Sequence, residues 1–215
     1  DSADETAISL IQKGINIEAI IDNREEVDSR LVYEVEKNNI KIFKGFTVTD
    51  TSGYKRINRI SIMQLSKDGQ KVIGSKISLS CDCLGVSGGW TPAVHLFTQS
   101  GGKLKFREED QVFIPNIYPS DQLSIGSCNG DFTLDEILTN TPKSLKDYLN
   151  IKNTEYDNLE VLSSTNKSKR NIWLLPSDKV LGKTKSFVDY QNDATAKDIK
   201  LALREGFRSI EHVKR

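Results

Sequence analysis

The stretch 15–45, INIEAIIDNREEVDSRLVYEVEKNNIKIFKG, decides the fold. INIEAIID is an apolar run of strand length, REEVDSRLVYEVEKNN carries apolar residues at helical spacing, and IKIFKG is a second short apolar strand. A strand, a helix and a strand joined by short connections predict a parallel βαβ unit, so the fold class is α/β. Toward the N-terminus, Ser2 and Glu5 have the spacing of a capping box. Ala7, Ile8, Leu10 and Ile11 continue the helix, and Gly14 ends it.

What precedes that helix matters. In a Rossmann unit a strand and a glycine-rich turn come before the first helix, so that a dinucleotide pyrophosphate can approach the helix N-terminus. Here the chain opens directly on the helix, which predicts a fragment. It also predicts that Ile8, Ile11 and Ile20 are less covered than in a complete sheet. Asp22, at the end of the strand, admits two readings. It could hydrogen-bond an adenosine ribose, with Arg24 favouring a 2′-phosphate, or it could cap the next helix together with Asn23.

Toward the C-terminus, FTVTD, NRISIMQLS and KVIGSKISLSCDCLGV are separated by Ser52-Gly53 and Asp68-Gly69, which predicts an antiparallel meander. A glycine-rich turn at Gly85, Gly88 and Gly89 then leads into a short helix, TPAVHLF. A further strand, DQLSIGS, ends at Gly126, and Thr133 with Glu136 opens the helix LDEILTN. A strand, a small-residue turn and a helix start can receive a dinucleotide, although many α/β turns contain glycine for conformational reasons alone. Residues 151–186 read as an Asn-, Ser- and Lys-rich connector interrupted by a strand-like NIWLL. Thr195 caps AKDIKLALRE, which Gly206 ends. Ser209 caps IEHVKR, a helix without a stop signal, so the C-terminus reads as internal.

Composition narrows the function. The 215 residues carry 30 Lys+Arg against 30 Asp+Glu, a net charge of zero that argues against a nucleic-acid or polybasic membrane-surface protein. No apolar run approaches the roughly 20 residues that span a bilayer, and the acidic N-terminus is unlike a signal peptide. These features predict a soluble, cytoplasmic protein. The three cysteines, Cys81, Cys83 and Cys128, are too few for a disulfide framework. Cys81 and Cys83 read as small buried residues on one face of a strand, because a metal site would need a second ligand pair and the two histidines, His95 and His212, stand alone. His95 reads as a structural histidine under the glycine turn, His212 as a surface residue, and Trp90 and Trp173 as packing residues. No metal site and no catalytic residue are expected.

Two long stretches carry a resemblance. CDCLGVSGGWTPAVHLFTQSGGKLKF and KSFVDYQNDATAKDIKLALREGFRSIEHVKR resemble segments of the α subunit of heterotetrameric sarcosine oxidase. The resemblance covers most of the chain and is weakest from about 140 to 180. It implies a fold of the pyridine-nucleotide-disulfide-oxidoreductase type. Residues 1–80 would be an inserted Rossmann-like domain lacking its first strand, and 81–150 the returning part of the NAD-binding domain. Residues 151–186 would be a connector and 187–215 the start of a helical module. The complete enzyme of that family oxidises sarcosine to glycine with hydrogen peroxide and, with tetrahydrofolate, 5,10-methylenetetrahydrofolate. FAD and FMN are held in or against the β subunit and NAD in the α subunit, with γ and δ subunits completing the assembly. The resemblance places NAD contacts at Gly126, Ser127, Phe132, Thr133 and Leu134. Related amine dehydrogenases bind an iron–sulfur cluster near the start of the last module; here the corresponding run, Tyr190 to Asp193, has no cysteine, so none is expected. A stand-alone disulfide reductase would need its own glycine turn and a spaced redox pair, and the sequence has neither.

Overall fold

The computed structural model describes residues 2–27, 29–119, 121–151, 172–180, 183 and 185–213. Most of the connector expected at 151–186, and the end of the last helix, lie outside these residues. The chain forms two compact units, Asp1–Val86 with Ile172–Arg215, and Ser87–Asn171.

The first unit is built on α1 (Ser2–Gln12), β1 (Ala19–Asp22), α2 (Ser29–Lys37) and β2 (Lys41–Lys44). β1 and β2 pair in parallel from Ala19↔Lys41 to Asp22↔Lys44, the expected βαβ arrangement. Side chains alternate across a strand, so β1 buries two different faces. Ile20 packs with Ala7, Val35 and Ile40 against the helices. Ala19 and Ile21 pack on the opposite side with Phe43, Ile60 and Ile62. The second face is covered by the meander of β3 (Phe46–Gly53), β4 (Ile57–Leu65) and β5 (Val72–Ser80), antiparallel in the order β3-β4-β5. Phe43 meets Phe46 edge-on with ring centroids 5.5 Å apart, which joins the parallel pair to the meander.

Several sequence expectations need correction. Ile20, expected to be poorly covered, is only 8% exposed, because it packs with Ala7, Val35 and Ile40 on the helix face, and among the described residues β1 pairs with β2 alone; Ile8 and Ile11 are only half-buried, in keeping with the expectation. Ser2 is already helical rather than a residue flanking α1. α2 starts at Ser29, seven residues past Asp22, so Asp22 does not cap it. β5 stops at Ser80, leaving Cys81 half-buried and Cys83 exposed beyond the ladder. Ile172–Leu175 form no strand.

Beyond them, residues 177–179 lie along the meander. The Ser177 hydroxyl donates to the Thr49 carbonyl at 3.4 Å, Lys179 pairs with Asp50, and Lys76 pairs with Asp178 at 2.9 Å. β8 (Phe187–Asp189) and β9 (Ala194–Thr195) form a small hairpin before α5 (Ala196–Arg204) and α6 (Ile210–Val213). The Asp198 carboxylate accepts from the Thr195 N–H at 2.9 Å and from its hydroxyl at 2.6 Å, joining the first turn of α5 to the residue before it.

The second unit contains α3 (His95–Gln99), β6 (Lys103–Arg107), β7 (Val112–Ile117), a 3₁₀ turn (Gly126–Asn129) and α4 (Leu134–Leu149). β6 and β7 form an antiparallel hairpin. Phe97 packs edge-on against Tyr118 at 4.9 Å and over Gly102, where an added Cβ would lie 2.5 Å from the ring; only glycine fits. α4 runs past Pro142 to Leu149, well beyond the seven residues expected. Proline removes one backbone donor, and the turns on either side remain helical.

Candidate functional site

The five residues implied as cofactor contacts lie on one continuous turn. Ile125 is extended (φ −134°, ψ 160°), as the end of a strand would be. However, residues 122–125 pair with no neighbour among the described residues, so the expected strand DQLSIGS is an extended lead-in without a ladder. Gly126 turns the chain at φ 62°, and Gly130 closes the 3₁₀ turn at φ 87°. The Asp131 N–H donates to the Gly126 carbonyl at 3.2 Å. A Cβ on Gly126 would meet only an ordinary contact at 3.9 Å, so its backbone angle, not a close approach, calls for glycine.

Two side-chain contacts brace the turn, and neither had a sequence signal. Arg107, on β6, donates from Nη2 to the Gly130 carbonyl at 2.8 Å and pairs with Asp110. Asp131 is buried, and its Oδ1 accepts from Asn140 Nδ2 at 2.9 Å. The two partners of each pair are too far apart in sequence for spacing alone to reveal them.

The start of α4 confirms the capping box read from Thr133 and Glu136. The Glu136 N–H donates to Thr133 Oγ1 at 3.4 Å, and Glu136 Oε2 accepts from the N–H groups of Phe132 and Thr133, each at 3.2 Å. Within this turn Ser127 and Leu134 are exposed, while Phe132 and Thr133 are half-buried. The surface can therefore offer a hydroxyl, an apolar side chain and a carboxylate to a ligand. That set suits the sugar or base of a nucleotide. It does not suit a pyrophosphate, which would meet Asp135 and Glu136 in the first helical turn.

The other candidates lie apart from this turn in sequence. Asp22 accepts from the Arg24 N–H at 2.9 Å and forms a 2.8 Å ion pair with its guanidinium. Burial works to raise the Asp22 pKa, but hydrogen bonding and charge from Arg24 prevail and hold it below its ordinary value. A ribose hydroxyl there would compete with Arg24. Gly85, Gly88 and Gly89 are exposed, with open space where each Cβ would stand. His95 is exposed rather than lodged under that turn, and His212 is exposed as expected. Trp90 and Trp173, expected to pack, are 72% and 74% exposed. The Cys81 thiol is pushed up by burial and by the neighbouring charges of Asp82, Cys83 and Glu18, which disfavours the reactive thiolate. Among the described residues, no three His, Cys, Asp or Glu side chains gather as a metal site, and no helix is long and apolar enough to cross a membrane.

Residues 183–215 match the model of the sarcosine oxidase A3 domain. The chain is 27% identical to the sarcosine oxidase subunit alpha of Corynebacterium sp. strain P-1 over 100% of its own length and 22% of that protein. It is 26% identical to the strain U-96 subunit, over 97% of this chain and 22% of the relative. The Rhizobium meliloti subunit is 26% identical, over 100% and 21%. Among solved structures, T. acidophilum thioredoxin reductase aligns at 16% identity and TM-score 0.43, over 67% of this chain and 47% of its own. P. horikoshii L-proline dehydrogenase aligns at 15% identity and TM-score 0.43, over 92% and 39%. The chain thus spans about a fifth of the length of the curated relatives it matches, and over that span it is similar to the sarcosine oxidase α subunits, with similarity to the A3 domain at its C-terminal end.

Proposed function

We propose that this chain works as a segment of a sarcosine oxidase α subunit, within a complex that oxidatively demethylates sarcosine to glycine. In this reading the complex also forms hydrogen peroxide and, with tetrahydrofolate, 5,10-methylenetetrahydrofolate. The segment helps hold NAD through Gly126, Ser127, Phe132, Thr133 and Leu134, and it scaffolds a β subunit that carries FAD and FMN, alongside γ and δ subunits. Residues 1–80 serve as an inserted dinucleotide-type domain, 81–150 as the return into the NAD-binding domain, 151–186 as a connector and 187–215 as the start of the helical module.

The observation that carries this reading is similarity to three α subunits along essentially the whole chain. For NAD, the support is one turn that exposes Ser127 and Leu134 beside a capped helix start. The chain's own role is to bind and orient. No side chain at the turn is assigned to proton or electron transfer, and amine oxidation belongs to the flavin-bearing partner.

A second reading, a non-catalytic interaction module, is favoured by a different observation. Leu96, Tyr190, Trp173 and Trp90 are all more than 70% exposed, far more apolar surface than binding at one turn would use. Titrating the full-length subunit with NAD separates the two. NAD binding with amide shifts confined to 126–134 supports the cofactor role. An intact complex whose turn ignores NAD overturns that role and leaves the scaffold.

A further inference from the structure

We propose that Cys81 and Cys83 form an oxidisable pair that a hydroperoxide converts to an intrachain disulfide. Both thiols are free, and they differ in setting: Cys81 is half-buried and Cys83 exposed. β5 stops at Ser80, but the Cys81 N–H still donates to the Asn58 carbonyl at 3.3 Å. The Cys81 side chain packs against the cluster of Phe43, Ile60 and Ile62. Leu84 packs against the same cluster, and the chain bends at Asp82 between them, leaving Cys83 in solvent. In a straight strand, Cα atoms two residues apart are separated by about 6.6 Å, near the upper limit for a disulfide. A bend shortens that toward the preferred distance of roughly 5.5–6 Å. Burial pushes the Cys81 thiol up and the charges of Asp82, Cys83 and Glu18 add to this, so Cys83 stands within electrostatic reach of Cys81. Among the described residues no three potential ligands gather around a metal, which leaves thiol chemistry as the use of the pair.

Cys83, the exposed thiol, reacts first. Its sulfur attacks one oxygen of hydrogen peroxide, an S–O bond forms as the O–O bond breaks, and the thiol proton leaves in a molecule of water. The Cys81 sulfur then attacks the Cys83 sulfur. An S–S bond forms, the S–O bond breaks, and a second water carries off the Cys81 proton. Two thiols are oxidised and one peroxide is reduced by two electrons.

Hydrogen peroxide is a product of the reaction proposed above, but the pair is tested with the reagent itself, so the two readings can fail separately. The experiment treats the reduced 215-residue chain with hydrogen peroxide in the presence of dimedone, which traps sulfenic acids, and reads the peptides by mass spectrometry. The peptide that holds Cys81 and Cys83 should lose two hydrogens, regain them with dithiothreitol and carry little dimedone. Cys81→Ser removes the resolving thiol, so dimedone labelling of Cys83 should rise by on the order of tenfold. Cys83→Ser should abolish the hydrogen loss in that peptide. A parent chain that loses no hydrogens there would overturn the proposal. So would equal labelling of Cys83 in the parent and in Cys81→Ser, or a disulfide that joins either cysteine to Cys128 instead.

Discussion

Individual residues differ most in what occupies their polar atoms. Asp22 was legible as an acidic residue at a strand end, but its partner was not. Its carboxylate is held by Arg24, two residues on, so the ion pair stabilises the charged form in the fold. Because that carboxyl is held below its ordinary value, its contribution is present above that value and is lost as pH falls through the lowered one. Asp22→Asn should therefore flatten the acid end of the stability profile and leave its slope above the ordinary carboxylate range unchanged, as urea unfolding at stepped pH would show. The cysteines make a second contrast. Cys81 is half-buried and its thiol is pushed up, whereas Cys83 and Cys128 are exposed. Thiol titration with an aromatic disulfide reagent should count two fast groups and one slow group, and Cys81→Ser should remove the slow phase alone.

At the scale of elements, the sequence spoke most clearly where one local interaction defines a boundary. The box at Thr133 and Glu136 is such a case, because both partners lie within one helical turn. The link between Thr195 and Asp198 at the start of α5 is another. The strand expected at DQLSIGS failed for the opposite reason. Apolar alternation makes a segment extended, but only a neighbouring strand makes it part of a sheet, and no local residue supplies one. The β6–β7 hairpin, not anticipated from the sequence, positions the candidate site through Arg107. Gly130 marks where that support is tightest. A Cβ there would lie 2.8 Å from Arg107 Nη2 and 3.0 Å from Ile114 Cγ2, at φ 87°. Gly130→Ala should destabilise the second unit by about 1–3 kcal/mol through strain and displacement of Arg107, measured as a lower urea midpoint. Amide shifts should spread from residue 126 to residue 134.

At the scale of the whole molecule, two kinds of interaction hold the first unit. Its interior rests on fully buried side chains such as Ile62, Leu65 and Val35, which only close packing explains. The 177–179 segment is tied on by surface ion pairs that water and salt screen. Ile62→Ala should cost about 2–5 kcal/mol of stability, whereas Lys179→Ala should leave the urea midpoint nearly unchanged and loosen only the 177–179 segment in hydrogen exchange.

The sequence by itself determined the βαβ opening, the meander after it, the helix starts at Thr133 and Thr195 and the family resemblance. Each of these is written in periodicity, in spacing within one turn, or in two long stretches that carry the resemblance. Only the tertiary structure decided that both faces of β1 are covered, that Arg107 and Asn140 brace the candidate turn, and that Asp22 is engaged by Arg24. It also decided that Glu136 Oε2 accepts from the N–H groups of both Phe132 and Thr133. The physical reason is that burial and hydrogen-bond partnership depend on where distant segments meet in space, and local sequence pattern reports only which segments are able to do so.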